Sequence, residues 1–338
     1  MIALPRSVPF REPLPQRVPV RVALGPTCTV VDELWMPFAP ARHPDTAAIG
    51  AASRAWLRGL GLLDDRNAAV FARARFEELA GRVYYDLGAS TVRLAADFIA
   101  ALFVLDDWLD ATGAPATRDA ALAAAALAAL RTAARTGVAP PADAPLAPVA
   151  AALADLTARL RAAGGRLDRY LAELDVYLDG VIAETGHRTR GYASLADYAE
   201  ARVAFSAVYA CVELGLAAHG RALAPALRPL ARAANLSVSW VNDLYSWPKE
   251  RALGERSNLI PVLLPGCDDR EPDAFHAACR ACDDVVADVV GFAPRARAID
   301  PVGAALCAAW IRGNYDWHAA ATDRYVDRLS VAPRDGGA

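Results

Sequence analysis

The sequence lacks an apolar run long enough to cross a membrane. Its longest run, residues 120–130, is bounded by Asp119 and Arg131 and falls short of the roughly 20 residues that a spanning helix needs. The N-terminus also lacks the uninterrupted apolar core and small-residue cleavage site of a secretory signal. We therefore expect no membrane partner and a cytoplasmic location.

Two further absences exclude other classes of function. Lys plus Arg number 36 and Asp plus Glu number 39, for a net charge of −3, so no basic surface for nucleic acid is expected. The six cysteines show no disulfide framework. Cys279 and Cys282 match C-x-x-C, but no second pair or nearby His pair completes a zinc site. We interpret them as small apolar packing residues.

What remains is a hydrophobic, Ala- and Leu-rich chain with very few alternating Val, Ile and Thr runs, which predicts an all-α fold. Prolines crowd the first 45 positions and prevent regular helix there. We predict a Pro-rich, partly extended arm over residues 1–32, one helical domain over 33–330, and a frayed tail over 331–338. No internal repeat or hydrophilic linker divides the helical part.

One group of polar residues lies on an otherwise apolar helix. Asn242, Ser246 and Glu250 are four residues apart in turn, so each step rotates only about 40° and all three share a face. Flanking residues such as Trp240 and Leu244 are too apolar for a freely exposed helix. Carboxylate, amide and hydroxyl oxygens suit Mg²⁺ or Mn²⁺ rather than zinc. The stripe therefore predicts a metal site.

A second acidic group ends the apolar helix predicted over residues 90–110. Asp106, Asp107 and Asp110 lie toward the C-terminal end of that helix, where the macrodipole disfavours carboxylates. A bound cation explains them better than an exposed polar face does. Two oxygen-rich sites in one helical chain indicate a trinuclear metal cluster around a diphosphate.

Together these residues resemble the motifs of bacterial class I terpene synthases (terpene cyclases). Asp106 to Asp110 match D-D-x-x-D, and Asn242 to Glu250 match N-D-x-x-S-x-x-x-E in full. Lys249 and the downstream pair Arg324-Tyr325 also agree, and the resemblance spans about residues 33–330. It implies a single-domain helical bundle of the class I terpenoid synthase type with a central active-site cavity.

The resemblance also implies the reaction and its site. Metal-assisted ionisation of an allylic prenyl diphosphate is followed by carbocation cyclisation and release of diphosphate, with three Mg²⁺ ions expected and Mn²⁺ as an alternative. The implied metal ligands are Asp106, Asp107, Asp110, Asn242, Ser246 and Glu250. The implied diphosphate-binding residues are Arg202, Lys249, Arg324 and Tyr325. Asp243 is expected to support the ligands, and the alternative for Arg202 is a surface ion pair with Glu200 or Asp197.

A dry pocket with aromatic faces would stabilise the passing cations. The expected pocket residues are Phe103, Phe205, Ser206, Tyr209, Trp310 and Trp317. For each aromatic, packing in the core is the alternative. Pro248 lies inside the second motif, and because it removes a helical hydrogen bond we predict a local kink there.

Substrate length is open at this stage. A C15 farnesyl chain ranks first because single-domain bacterial members most often use it, followed by C20 geranylgeranyl and then C10. The nearest alternative function is a chain-elongating prenyltransferase, which generally has two Asp-rich motifs. A non-catalytic helical prenyl-lipid binder is the alternative from another class. The family also includes homodimers, and nothing in the sequence fixes the oligomeric state.

Overall fold

The computed structural model describes residues 16–25, 28–110, 120–144 and 146–320, apart from the side chains of 107–110 and 120–123. A β-hairpin comes first, with antiparallel strands β1 (Arg17–Gly25) and β2 (Cys28–Trp35). The helices that follow are α1 (Thr46–Gly59), α2 (Ala68–Ala74), α3 (Phe76–Val83), α4 (Ala89–Asp110), α5 (Ala120–Thr136), α6 (Ala147–Ala162), α7 (Asp168–Thr185), α8 (Leu195–Ala204), α9 (Val208–Ala217), α10 (Arg228–Ala252), α11 (Leu259–Leu263), α12 (Glu271–Ile299) and α13 (Pro301–Ala320). Short 3₁₀ turns occupy Pro225–Leu227 and Leu264–Cys267.

The predicted all-α fold is confirmed, with one addition. The hairpin packs against α10 and α12, and β1 alternates exposed residues with the buried Val18, Val20, Val22 and Leu24. This period-two pattern was missed in the sequence because Pro19 interrupts it. The predicted boundary at residue 32 stays a prediction, although β2 continues across it.

Helices α4 and α10 supply much of the buried interior. Most of α10 between Leu230 and Trp247 is buried, and it packs against α12, α13 and α8. The inward residues of α4 include the fully buried Phe98 and Leu105. Among the described helices, none is both long and apolar enough to span a membrane. The central position of α10 places its polar stripe inside the protein rather than on the surface.

The chain breaks between α8 and α9. Ser194 opens α8, its hydroxyl accepting the Asp197 N–H at 3.1 Å. The helix then stops at Ala204, and Ala207 adopts a left-handed conformation with φ +60° before α9 begins. The break changes which residues of this segment face the cavity.

Candidate active site

A cavity opens between α4, α8, α10 and α13. It brings together one predicted metal ligand from α4, two from α10, the predicted Arg of α8, and several predicted pocket residues. These cavity-lining residues are Asp106, Asn242, Glu250, Arg202, Phe103, Phe205, Ser206, Trp310 and Trp317. The sequence therefore anticipated residues from four separate helices that converge on one space.

Aromatic rings form one side of the cavity. Phe103 stacks on Phe76 with 4.6 Å between ring centroids and lies 5.6 Å from the ring of Trp317. The indole N–H of Trp317 donates to the Ala74 carbonyl at 2.7 Å, which fixes the ring against α2. Aromatic faces held this way attract a passing cation by about 0.5–2 kcal/mol each.

Arg202 is buried at the inner end of the cavity. Its guanidinium donates to Asp243 Oδ1 at 2.9 and 3.1 Å and to Asn242 Oδ1 at 3.0 Å. The surface alternative is therefore wrong, and Glu200 pairs instead with Arg232. Burial alone would lower the pKa of Arg202, but the charge of Asp243 raises it above its usual value. The positive charge is permanent.

Asp243 makes contacts that explain its position beside a ligand. Besides Arg202, it accepts hydrogen bonds from the Tyr198 hydroxyl and from the Leu259 N–H, the latter at 3.1 Å. Burial raises the pKa of this carboxyl, and Arg202 and Tyr198 oppose the rise. Asp243 thus links α8, α10 and α11, as expected of a supporting residue.

Glu250 faces the cavity with few compensating contacts. Its Oε2 accepts a hydrogen bond from Asn258 Nδ2 at 2.9 Å. Burial, and next the charge of Asp243, raises the pKa of Glu250 to about 8. One turn earlier, Ser246 Oγ is buried and forms no hydrogen bond of normal geometry with any described residue. A strained carboxyl and an unsatisfied hydroxyl on one helix face are what a cation would relieve.

This donor set fits a divalent metal. Asp106, Asn242, Ser246 and Glu250 all carry side-chain oxygen atoms, the donor type that Mg²⁺ prefers, and Asn242 Oδ1 accepts from Arg202. Among the described side chains, no group of three or more His, Cys, Asp or Glu forms a metal site by itself. The side chains of Asp107 and Asp110, at the end of α4, lie outside the described residues.

Other predicted site residues lie elsewhere. Tyr209 is absent from the cavity lining and its ring lies 3.7 Å from the Arg228 guanidinium carbon on α10, so its pocket role stays a prediction. Lys249 is half-buried on α10 and outside the cavity lining. Arg324 and Tyr325 lie outside the described residues. Helix α10 continues through Pro248 to Ala252, so the proline does not end it, and the kink stays a prediction.

Several cavity residues were missed in the sequence. Glu184 and Arg188 form an ion pair at 2.7 Å at the end of α7 and line the cavity with Glu255. Asn258 caps α11 and contacts Glu250. The four-residue spacing of Glu184 and Arg188 indicates a helical pair, and Asn258 has the form of an N-cap. Neither pattern by itself points to a cavity, and Glu255 has no local signal.

Comparison with known proteins agrees with this geometry. Residues 97–288 match the family model described as terpene synthase family 2, C-terminal metal binding. The chain is 32% identical over 317 residues to (+)-T-muurolol synthase of Roseiflexus castenholzii, covering 87% of this chain and 93% of that protein. It is 27% identical over 314 residues to 4-epi-cubebol synthase of Streptosporangium roseum, covering 88% and 92%.

Solved structures give the same fold. The structure of α-eudesmol synthase superimposes with a TM-score of 0.69 at 22% identity, covering 84% of this chain and 97% of that one. A cucumene synthase variant gives a TM-score of 0.71 at 23% identity, covering 84% and 99%. The family match includes α4, α8 and α10, the helices that supply Asp106, Arg202 and Asn242 to the cavity. The chain belongs to the terpene synthase family.

Proposed function

We propose that the protein is a sesquiterpene cyclase that ionises farnesyl diphosphate with Mg²⁺ and cyclises the resulting carbocation. The observation that carries the proposal is one cavity that Asp106, Asn242 and Glu250 line together with the aromatic residues Phe103, Phe205 and Trp317. Two relatives are named as farnesyl-diphosphate-cyclising enzymes, T-muurolol synthase and 4-epi-cubebol synthase, which supports the C15 substrate.

The polar end of the cavity would bind the diphosphate. Three Mg²⁺ ions held by Asp106, Asp107, Asp110, Asn242, Ser246 and Glu250 would neutralise the charge that develops on the leaving group. Arg202 supplies a permanent positive charge at the same end, already oriented by Asp243. Such preorganised charge stabilises a departing anion without reorganising during the reaction. Lys249, Arg324 and Tyr325 would complete the diphosphate contacts.

The apolar end would fold the hydrocarbon. Phe103, Phe205, Trp310 and Trp317 line it, and they exclude water from a cation that water would otherwise capture. Ring faces stabilise positive charge without forming a bond to it. The shape of this end would determine which carbon atoms of the chain meet.

Incubation with C10, C15 and C20 allylic diphosphates plus Mg²⁺, followed by gas chromatography with mass detection, tests the proposal. Cyclic C15 products are expected. Asp106→Ala and Glu250→Ala should each abolish them while leaving the unfolding transition in place, and Glu33→Ala, an exposed acid on β2, should not. Unchanged turnover in the first two variants would refute the site.

The same assay separates the alternatives. Cyclic C20 products only would assign the protein as a diterpene cyclase. Longer prenyl diphosphates formed after adding isopentenyl diphosphate would assign a chain-elongating prenyltransferase. Binding of the prenyl diphosphate without release of diphosphate would assign the protein as a non-catalytic prenyl-lipid binder.

A further inference from the structure

The side-chain amide of Asn235 joins α10 to the break between α8 and α9. Asn235 is fully buried, and its Nδ2 donates to the Val203 carbonyl at 3.1 Å. Its Oδ1 accepts from the Ser206 hydroxyl at 2.7 Å and from Ser239 Oγ at 3.1 Å. One side chain therefore holds the residues on the N-terminal side of the break and also a neighbour on its own helix.

The break needs such a contact because nothing in its sequence favours it. It contains no glycine or proline, and Ala207 adopts φ +60°, a region that side chains with a Cβ disfavour. The Val208 N–H donates to Ser206 Oγ at 3.3 Å, so the same hydroxyl also caps α9. Ser206 thus connects the strained turn to Asn235.

Helix α7 confines the break from the other side. A Cβ at Gly180 would lie 2.7 Å from the Ala204 carbonyl carbon and 2.8 Å from the Phe205 nitrogen. Contacts this close leave no room for the turn to move toward α7. The turn is therefore held between the backbone of α7 and the amide of Asn235.

The orientation of the turn determines what the cavity presents to a substrate. Phe205, Ser206 and Ala207 all line the cavity. The Phe205 ring lies 4.9 Å from the guanidinium carbon of Arg202, so the turn places an aromatic face beside the buried cation that lines the same cavity. A small rotation of the turn would move this ring relative to the reacting carbons.

We infer that Asn235 is a positioning residue whose amide, acting through Ser206 and Val203, fixes Phe205 in the cavity and so determines the product ratio of the cyclisation. The inference rests on the proposed function. Asn235 itself does not line the cavity; it contacts Val203 and Ser206 at the turn and, on its own helix, the cavity-lining Ser239. An amide accepts from Ser206 through its oxygen and donates to Val203 through its nitrogen in one orientation, without adding a charge.

The test compares products formed from farnesyl diphosphate by Ser206→Ala, Asn235→Ala and the double variant. The free energy of one neutral buried hydrogen bond corresponds to about a three- to tenfold change in an equilibrium or rate ratio. We expect a change of that size in the ratio of the main product to its by-products. Because the two residues act through one contact, the double variant should shift the ratio no further than Asn235→Ala alone. Independent, multiplying shifts would overturn the inference.

Two control variants separate positioning from general loss of stability. Thr157→Val removes a buried hydroxyl that donates to the Ala134 carbonyl at 2.6 Å, away from the cavity. Ser237→Ala removes a buried hydroxyl of α10 that has no hydrogen-bond partner among the described residues. Both should keep the wild-type product ratio, and a comparable shift in either would overturn the inference.

The outcomes remain distinguishable when a variant fails. If Asn235→Ala does not fold, the product ratio of Ser206→Ala tests the inference, because Asn235 keeps its bonds to Val203 and Ser239 in that second variant. An unchanged ratio in Ser206→Ala would overturn the inference while leaving the proposed function intact. A wild-type protein that forms no product from any of the three diphosphates would instead refute the proposed function.

Discussion

Replacing Glu250 with Gln tests two effects of this carboxylate separately. One is the free energy of folding that its buried charge costs the metal-free protein, and the other is its contribution to metal binding. Folding raises the pKa of Glu250 from the ordinary 4.5 to about 8, first through burial and then through repulsion by Asp243. Between those two pH values the folded state binds more protons than the unfolded state. The stability of the metal-free wild type should therefore fall as pH rises from about 4.5 to about 8, and stay low above that.

The magnitude follows from the same shift. About 1.36 kcal/mol per pKa unit sets an upper bound of roughly 5 kcal/mol. Glu250 is only half-buried, and water in the cavity reduces the penalty, so we expect about 2 kcal/mol. Gln removes the charge and still accepts the hydrogen bond from Asn258. Glu250→Gln should therefore be more stable than the wild type at pH 8.5 and nearly equal to it at pH 5.

Urea unfolding with a chelator present, at both pH values, measures this difference. Glu33→Gln provides the control, because Glu33 is exposed on β2 and should change stability little at either pH. In a second arm, Mg²⁺ and inorganic diphosphate should stabilise the wild type by mass action and stabilise Glu250→Gln less. A metal-free Glu250→Gln protein that is less stable than the wild type at pH 8.5 would refute the reasoning.

Three further substitutions test separate contacts. Arg202→Met should destabilise the fold by about 3–5 kcal/mol in urea unfolding, because it leaves the buried Asp243 without its cation; a loss below about 1 kcal/mol would contradict the buried pair. Tyr209→Leu should cost about 0.5–2 kcal/mol by removing the ring beneath Arg228 yet keep the product ratio, and an altered ratio would return Tyr209 to the cavity. Trp317→Phe should lose about 1 kcal/mol with its indole hydrogen bond and also change the product ratio on gas chromatography, whereas an unchanged ratio would remove the ring from the substrate pocket.

The residues proposed as metal ligands stand out in the sequence because their chemistry restricts both residue type and spacing. Asn242 and Glu250 are eight residues apart on one helix, so local geometry alone places them on one face. Local geometry could not place Asp106 near these residues, since only the fold shows that α4 and α10 line one cavity. The resemblance predicted this proximity, and the shared cavity agrees with it.

The position of Tyr209 outside the cavity lining has a definite physical origin. On a continuous helix, Tyr209 would share a face with Arg202, seven residues earlier. The break at 205–207 ends that register, and Tyr209 turns toward Arg228 instead. The left-handed residue is Ala207, a residue type with no preference for that conformation, and the side chain that bonds the turn is Asn235, 29 residues after Ser206. Contacts this distant in sequence cannot be read from periodicity.

The β-hairpin was missed for a related reason. The inward residues of β1 become buried only because α10 and α12, more than 200 residues away, supply the surface that covers them. The Arg251 guanidinium donates to the Leu24 carbonyl and so joins the hairpin to the residue that directly follows Glu250. The hairpin therefore supports the C-terminal end of the helix that carries the second motif.

These contacts distribute stability unevenly over the site. Arg202 and Asp243 share a buried network in which neither charge lacks a partner, so the guanidinium that we propose for the diphosphate is held in place by the fold itself. Glu250 accepts from Asn258 and has a raised pKa, and the buried Ser246 hydroxyl one turn earlier has no hydrogen bond of normal geometry among the described residues. The guanidinium of Arg202 is therefore already paired, whereas the carboxylate of Glu250 keeps an unfavourable burial energy. A divalent metal would remove that energy, which folding alone does not. Binding of metal and diphosphate should therefore stabilise α10 most strongly in its last turns, around Glu250, and hydrogen exchange should show greater added protection there than at the already satisfied Asn235.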